Sequence, residues 1–258
     1  MFSLHATVAQ IISQNNDAVC LLRMKDYGRA TTLFSSCVHA LNVLVACSED
    51  PNNGDMFLPD YQFFYCPLPA AARVSARSEE DLKGASHFVF EAPIWIAEGP
   101  DRTKTDTATS TATSTTQILN RLSFGIVYNA GLAFHIGALL HREVEPLDHT
   151  VFRKSLHKAL QFYHGAFVLG HNSSSSSAPI SAPGSMEALS IVNNQAHIYH
   201  LLGHYTGAQQ CQEILMSHIM YAAGNSSSYD DGSRERMALY IDLFLHTATY
   251  STRSAAAA

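Results

Sequence analysis

The segment NNDAVCLLRMKDYGRATTLF (residues 15–34) decides the fold, because a related segment, NNQAHIYHLLGHYTGAQQCQ, stands at residues 193–212. Alignment of the two gives five identical pairs: Asn15/Asn193, Asn16/Asn194, Ala18/Ala196, Tyr27/Tyr205 and Ala30/Ala208. Each segment places one alanine on a first helix, the tyrosine at a tight turn and the second alanine on the next helix. Small residues let two antiparallel helices approach closely. The repeat therefore predicts two equivalent helix pairs, each with a tyrosine that fills the corner between its helices.

Apolar residues recur at helical spacing through most of the remaining chain, as at Leu156, Leu160 and Tyr163. This periodicity predicts helix pairs at about residues 4–47, 117–170 and 185–222, followed by a capping helix at 233–250. A chain of 258 residues with 47% hydrophobic composition is long enough for one large domain or two small ones. Of these two we expect a single helical domain of residues 1–258.

Residues 48–116 interrupt the helical pattern and form a predicted insertion. In HFVFEAPIWIAEG (87–99) the even positions from 88 to 96 are all apolar, and this alternation indicates a half-buried strand. YQFFYCPL (61–68) is its predicted partner in a small β-hairpin. Pro67 and Pro93 each lack a main-chain donor, which favours edge strands. Low-complexity composition predicts irregular structure at residues 101–116, 172–184 and 224–233.

The interval from alanine to turn tyrosine to alanine resembles that of the tetratricopeptide (TPR) repeat. VYNAGLAFH (127–135) resembles the opening of a TPR first helix, and KALQFYHGAF (158–167) resembles a second helix. The chain departs from the pattern at Ala18 and Ala196, where TPR repeats usually carry glycine. The whole chain is also similar to a group of uncharacterised TPR-like proteins of microalgae. The resemblance implies an all-α fold of antiparallel helix pairs in an α-α superhelix, with the β-hairpin as an insertion.

The TPR resemblance also implies a function, that of a non-enzymatic protein–protein interaction scaffold which binds a peptide or protein segment in its concave groove. Carried over to this chain, the groove positions are Asn15, Asn16, Arg23, Tyr128, Asn129, His135, Asn193, Asn194, His197 and His200. Asn16, Asn129 and Asn194 recur at equivalent positions. Because an amide both donates and accepts hydrogen bonds, such a row can hold a ligand strand whatever its sequence. The alternative is that each asparagine bonds the neighbouring helix.

Charge and cysteine content narrow the classes of partner and compartment. The groove contains few lysines, so an acidic C-terminal tail, the ligand of chaperone-binding TPR domains, is not expected. With 16 Lys and Arg against 22 Asp and Glu, the net charge is −6, which argues against a nucleic-acid partner.

Five scattered cysteines without a C-x-x-C pair predict neither a disulfide framework nor a zinc knuckle. No Lys or Arg precedes Arg23, so no targeting segment is predicted and we expect a cytoplasmic protein without a cofactor.

Histidine-rich helix faces leave a metal-dependent or other enzyme open as an alternative. Two sets of three histidines share helical spacing: His197, His200 and His204, and His157, His164 and His171. No Asp or Glu stands beside either set at helical spacing, because Glu187 lies ten residues before His197, and the motif H-E-x-x-H is absent. Ser155 and Lys158 match the S-x-x-K pattern of some serine hydrolases, without its companion motifs. The sequence therefore predicts no catalytic residue.

A second alternative is a membrane-associated protein anchored through residues 122–140. This segment is 19 residues long and uncharged, which is about the length that a bilayer requires. Asn129 and His135 lie near its middle, however, and a helix inside a bundle is apolar on all sides in the same way. The same segment also fits the helical repeat, so we expect a buried helix and no membrane partner.

Overall fold

The computed structural model describes residues 4–48, 58–59, 61–66, 68, 89–99, 115–144, 149–172, 185–224, 241 and 244. Within them lie six helices and two strands: α1 (Leu4–Arg23), α2 (Tyr27–Ser48), β1 (Tyr61–Tyr65), β2 (Ile94–Glu98), α3 (Thr115–Val144), α4 (His149–Asn172), α5 (Met186–Leu201) and α6 (Tyr205–Gly224). The predicted all-α fold with a small hairpin is confirmed. Of the predicted capping helix, the structure describes only Ile241 and Phe244, which are both helical. Most of each predicted irregular stretch lies outside the described residues. At the edges of these stretches, Thr115 and Thr116 begin α3, and residues 172 and 224 are the last residues of helices.

The chain divides into two compact units. The first comprises Met1–Pro67 and Ala92–Leu169, and therefore contains α1, α2, both strands, α3 and most of α4. The second comprises Leu68–Glu91 and Gly170–Ala258, with α5 and α6. The single domain expected from the sequence stays a prediction.

The two helix pairs that the repeat predicts are built on buried alanines. In the first pair Ala18 of α1 and Ala30 of α2 are fully buried. In the second pair Ala196 of α5 and Ala208 of α6 are buried as well. Around them α1 presents an apolar stripe that includes Val8, Ile11, Val19 and Leu22, as an amphipathic helix should. The small side chains keep the helix axes close enough for these larger neighbours to interdigitate.

Both helix pairs turn through the same backbone conformation. Lys25 (φ 64°) and Gly203 (φ 78°) are the equivalent residues in the left-handed region. After them, the Asp26 N–H donates to the Leu21 carbonyl at 2.9 Å, and the His204 N–H donates to the Tyr199 carbonyl at 2.8 Å. This bond closes the end of a helix in the Schellman arrangement. The repeat seen in the sequence is therefore also a repeat of main-chain hydrogen bonds.

The turn tyrosines differ between the two pairs. Tyr27 is half-buried, and a Cβ placed at Gly137 of α3 would lie 3.6 Å from the Tyr27 Cβ. Tyr205 is 68% exposed, with its ring centroid 5.8 Å from that of His200. The prediction that both tyrosines fill a corner is therefore wrong for Tyr205. The physical reason is that α3 covers the turn at Tyr27, whereas no described helix covers Tyr205 to a similar degree.

Helix α3 packs as a core helix. A Cβ at Gly131 would lie 3.1 Å from the ring of Tyr163, so this glycine lets α4 approach α3 closely. The Tyr128 and Tyr163 rings then meet at 5.9 Å. Among the described residues, one helix, Thr115–Arg142, is long and apolar enough to cross a membrane. Of the most apolar window of this helix, 78% is buried inside the protein.

The two strands form the predicted antiparallel sheet, with a register that runs from Tyr61 opposite Glu98 to Tyr65 opposite Ile94. The pairing extends beyond β1, because the Cys66 N–H donates to the Pro93 carbonyl at 2.9 Å. The even positions from 90 to 96, Phe90, Ala92, Ile94 and Ile96, are at most 2% exposed, and the alternation ends at Glu98, which is exposed. The alternation seen in the sequence therefore corresponds to a buried face of the extended segment.

Ala30→Arg and Ala208→Arg test the packing of the two helix pairs. A larger side chain at a filled contact typically costs about 1–3 kcal/mol, and burial of the guanidinium charge adds to this cost. We expect both variants to lower the free energy of unfolding by roughly 3 kcal/mol or more, measured by denaturant titration. Ser36→Arg on α2 and Gln210→Arg on α6 are matched controls at exposed positions. Equal stability of the alanine variants and their controls would contradict the repeat assignment.

Candidate functional site

Asn16 of α1 pairs with the main chain of the strand β2. Its Nδ2 donates to the Ile96 carbonyl at 2.7 Å, and its Oδ1 accepts from the Ile96 N–H at 3.1 Å. The preceding residue, Asn15, is fully buried. Its Nδ2 lies 3.1 Å from Asn16 Oδ1 and 3.3 Å from the Ile94 carbonyl oxygen. Two successive amides of α1 thus contact two alternate residues of the strand.

Asn129 of α3 makes the same contact with Ile94. The Ile94 N–H donates to Asn129 Oδ1 at 2.7 Å, and Asn129 Nδ2 donates to the Ile94 carbonyl at 2.7 Å. The same Nδ2 also lies 2.9 Å from Asn15 Oδ1, so an amide-to-amide bond joins α3 to α1. Asn15, Asn129 and Ile94 are all buried. In this environment every one of these hydrogen bonds is costly to lose.

In the second unit, Asn194 of α5 repeats the arrangement. Its Oδ1 accepts from the Phe90 N–H at 2.7 Å, and its Nδ2 donates to the Phe90 carbonyl at 3.3 Å. Asn193 donates to Asn194 Oδ1 at 3.3 Å, as Asn15 does to Asn16 at 3.1 Å. The paired asparagines of the sequence repeat therefore share their function in the structure, which is to bind extended main chain.

The three contacts share a simple geometry. In an extended chain the N–H and C=O of one residue point to the same edge, and those of the next residue point to the other. A carboxamide carries one donor and one acceptor group side by side, so it completes that edge as a neighbouring strand would. Phe90, Ile94 and Ile96 are all even-numbered residues and face the amides. Pro93 is odd, so its missing N–H falls on the opposite edge, towards Cys66.

Of the two interpretations of the asparagines, the structure shows a version of each. Asn16 and Asn129 hold the main chain of β2 in the first unit, and Asn194 holds the main chain of Phe90 in the second, so in each unit the extended main chain belongs to the protein itself. Bonding to a neighbouring helix holds for Asn15 with Asn129. The sequence reasoning named the amides but missed Phe90, Ile94 and Ile96 as the residues they bind. The alternation of apolar residues at even positions was the available signal for them.

Tyr128 and His135, expected to line a groove, lie fully buried in the core. Tyr128 does face the insertion, because the ring of Tyr65 on β1 meets its ring edge-on at 6.4 Å. His135 Nδ1 lies 3.5 Å from the Tyr163 hydroxyl. Burial lowers the pKa of His135 to about 3, so this imidazole is neutral at physiological pH. Neither residue is accessible to an external ligand.

The remaining predicted positions lie nearer the surface. Arg23 is exposed at the C-terminal end of α1, while His197 and His200 are half-buried on α5. Partial burial lowers the pKa of His200. In the parts of the chain that the structure describes, no set of three or more His, Cys, Asp or Glu residues is placed to hold a metal ion.

Glu91 is an acidic residue of the extended segment and lies between the buried residues Phe90 and Ala92. Burial raises the pKa of its carboxyl group to about 7. Its main-chain carbonyl accepts from the Leu68 N–H at 3.0 Å. Because the folded protein favours the protonated carboxyl group, Glu91 contributes fully to stability below 4.5, the pKa of an unfolded glutamate. This contribution is lost as the pH rises through about 7.

Asn129→Leu tests the contribution of the amide contacts to stability. The substitution conserves side-chain size but leaves the Ile94 N–H, the Ile94 carbonyl and Asn15 Oδ1 without this partner. Each buried polar group left unpaired costs about 1–3 kcal/mol, so we expect the free energy of unfolding to fall by roughly 3 kcal/mol or more. Asn42→Leu, at an exposed position of α2, is the matched control and should change stability by less than about 0.5 kcal/mol. Similar effects of the two variants in denaturant titrations would contradict a role of the amide in holding the strand.

His135 predicts a pH dependence of stability. Its folded pKa is about 3 and its ordinary value is 6.5, so the unfolded chain takes up the proton first as the pH falls. Its contribution should therefore be complete above about pH 6.5 and should decline towards pH 3 by about 1.4 kcal/mol per pH unit. Between pH 7 and pH 5, the wild type should lose roughly 2 kcal/mol more than His135→Gln. His39→Gln, at an exposed position of α2, should keep the wild-type slope; parallel slopes for all three proteins would refute the assignment.

Searches against protein-family models, curated proteins and solved structures gave no match to this chain. The features that indicate a function are therefore the internal similarities of the molecule. They are the repeated helix pair, its equivalent turns and the equivalent asparagine contacts with extended main chain.

Proposed function

We propose that the protein is a non-enzymatic, TPR-like helical-repeat scaffold for protein–protein interaction, whose inner asparagines bind extended peptide. Its own residues 90–96 are the resident occupant of these sites. The observation that supports this proposal is the two-point pairing of Asn16, Asn129 and Asn194 with single residues of an extended segment.

The chemistry of the contacts favours binding over catalysis. Carboxamides are neutral and unreactive, and their hydrogen bonds to the extended segment are all to main-chain atoms, which every peptide has. Selectivity must then come from the side chains on the buried face of the strand. Phe90, Ala92, Ile94 and Ile96 fill that face. The ligand class is therefore an extended segment with an apolar residue at every second position, as in other modes of strand recognition.

The resident strand is held strongly. Burial of a large apolar side chain contributes about 1.5–3 kcal/mol, and Phe90, Ile94 and Ile96 are each almost fully buried. A competing peptide must offset this burial and also the advantage that the resident strand has through its covalent connection. The site is thus self-occupied, and an external peptide of the same kind should enter only when the resident strand is weakened.

The same proposal includes a cytoplasmic location. It is supported by the burial of α3, because the helix with the length to cross a membrane is surrounded by protein over 78% of its most apolar window. A core helix of this kind does not need a bilayer to cover it.

Rescue by a peptide in trans tests the proposal. In the intact chain, Ile94→Ala with Ile96→Ala weakens the resident strand and leaves Asn16 and Asn129 in place. A synthetic peptide with the native sequence of residues 88–98 should then bind the variant and raise its melting temperature. At a concentration of about 100 times its Kd, a ligand stabilises the folded state by roughly 2.7 kcal/mol, which is several degrees for a chain of this size. The wild type should not respond, since its own strand occupies the site.

Two controls make the result specific. A peptide in which both isoleucines are replaced by aspartate should fail to rescue, because it cannot fill the apolar positions. The native peptide should also fail when Asn16→Leu and Asn129→Leu are added to the weakened variant. An unchanged melting temperature of the weakened variant at millimolar native peptide would refute the proposed peptide site.

A further inference from the structure

The exposed face of α4 carries an unusual concentration of positive charge. Arg153, Lys154 and Lys158 are all exposed on it, together with His157. The 24-residue helix contains no Asp or Glu, although the whole chain carries six more acidic than basic residues. These cations line a surface depression of about 460 Å³, whose described lining consists of residues of α4 between His149 and Gln161.

The stability of the helix does not explain these charges. The described residues form two ion pairs, His5–Glu98 and Arg29–Asp26, and neither includes Arg153 or Lys154. Lys154 and Lys158 are four residues apart on one face, and like charges at this spacing destabilise a helix. The first turn of α4 also lacks an acidic residue, which the helix dipole would favour there. An anionic partner would relieve the repulsion between Lys154 and Lys158.

The opposite face of α4 already packs against the protein. Phe152, Leu156, Ala159 and Tyr163 are buried, so the cationic side chains are those that remain on the surface. The Lys158 ammonium lies 5.5 Å from the centroid of the Phe162 ring, and His157 Nδ1 is bonded to the Arg153 carbonyl at 2.7 Å. Contacts within the helix thus restrain two of the side chains that line the depression.

The number and arrangement of the charges select one class of partner. Three fixed cations within about two helical turns are few compared with the six to ten phosphate contacts typical of DNA-binding proteins. A helix that binds a membrane surface buries its apolar face in the lipid, whereas the apolar face of α4 is buried in the protein. A short peptide segment with several carboxylates matches both the sign and the extent of this surface. We propose that the outer face of α4 is a docking site for an acidic segment of a partner protein.

This site is separate from the asparagine contacts and differs from them in chemistry. The asparagines bind buried main chain through neutral amides, whereas α4 offers solvated charges to carboxylate side chains. Single exposed ion pairs contribute little, so binding must come from several of them acting together. The affinity should therefore fall steeply as the salt concentration rises.

Fluorescence anisotropy with a labelled Glu-rich peptide, long enough to follow about three helical turns, tests the proposal on the intact protein. We expect saturable binding at low salt, loss of binding at several times that salt concentration, and no binding of the same peptide with Gln in place of Glu. Lys154→Glu with Lys158→Glu should weaken binding by about tenfold or more. Lys25→Glu with Arg29→Glu, exposed on the first helix pair, makes the same change in net charge and should alter the Kd by less than about twofold.

Circular dichroism should show both charge-reversal variants folded, because all four positions are exposed. The control loses the exposed Arg29–Asp26 ion pair, so its melting temperature should be slightly below that of the wild type. Three outcomes would overturn the proposal: no binding of the Glu-rich peptide, equal binding of the Gln-containing peptide, or equal weakening by the two double variants. Tighter binding of a single-stranded oligonucleotide or of phosphatidylserine-containing vesicles than of the Glu-rich peptide would overturn it as well. In those cases the face of α4 would recognise phosphate groups in place of carboxylates.

Discussion

The fold depends on how the buried edge of the extended segment satisfies its hydrogen bonds. A strand with a partner on one side leaves N–H and C=O groups unpaired on the other, and each such group costs about 1–3 kcal/mol when water cannot reach it. In this protein, side-chain amides supply the missing partners. The first unit uses Asn16 at Ile96 and Asn129 at Ile94, and Asn15 bonds to both asparagines. These bonds fix the register of β2 against α1 and α3, at an edge of β2 where the described residues contain no third strand.

Several residues are identical in the two copies of the repeat and make the same contacts in both. Ala30 and Ala208 both allow close helix contact, and Asn16 and Asn194 both bind extended main chain. The left-handed residue at the turn recurs as well, although its type changes from Lys25 to Gly203. The tyrosines are identical in sequence yet differ in exposure, because the packing at their positions differs. The turn geometry thus recurs without identity of the residue, and identity of the tyrosines does not ensure equal burial.

The sequence predicted the local features of this protein and missed those that depend on contacts between distant segments. Periodicity located the six described helices, and alternation located β2, because both patterns are properties of short windows. The donor and acceptor pair of an amide indicated that the asparagines would bind main chain. Nothing local specifies that Asn129 meets Ile94, which lies 35 residues away, or that Asn194 meets Phe90 at a separation of 104 residues. Tyr128 was expected to face an open groove, but it is fully buried, with the ring of Tyr65 edge-on to its own at 6.4 Å.

The contrast between the inner and outer side chains follows from the cost of desolvation. A charged side chain could bind main chain as strongly as an amide, but its burial at the position of Asn129 would carry a large penalty. A neutral carboxamide avoids that penalty and still supplies both a donor and an acceptor. Glu91 shows the penalty directly, because its burial raises the pKa of the carboxyl group to about 7. Several charges can lie close together without a large desolvation penalty only on a solvated surface, such as the exposed face of α4. Each exposed ion pair contributes little free energy there, so the docking that we propose depends on the number of charges. Under the two proposals made above, the protein's own extended segment occupies the asparagine sites, so the exposed face of α4 is the surface that a partner would reach without a rearrangement of the core.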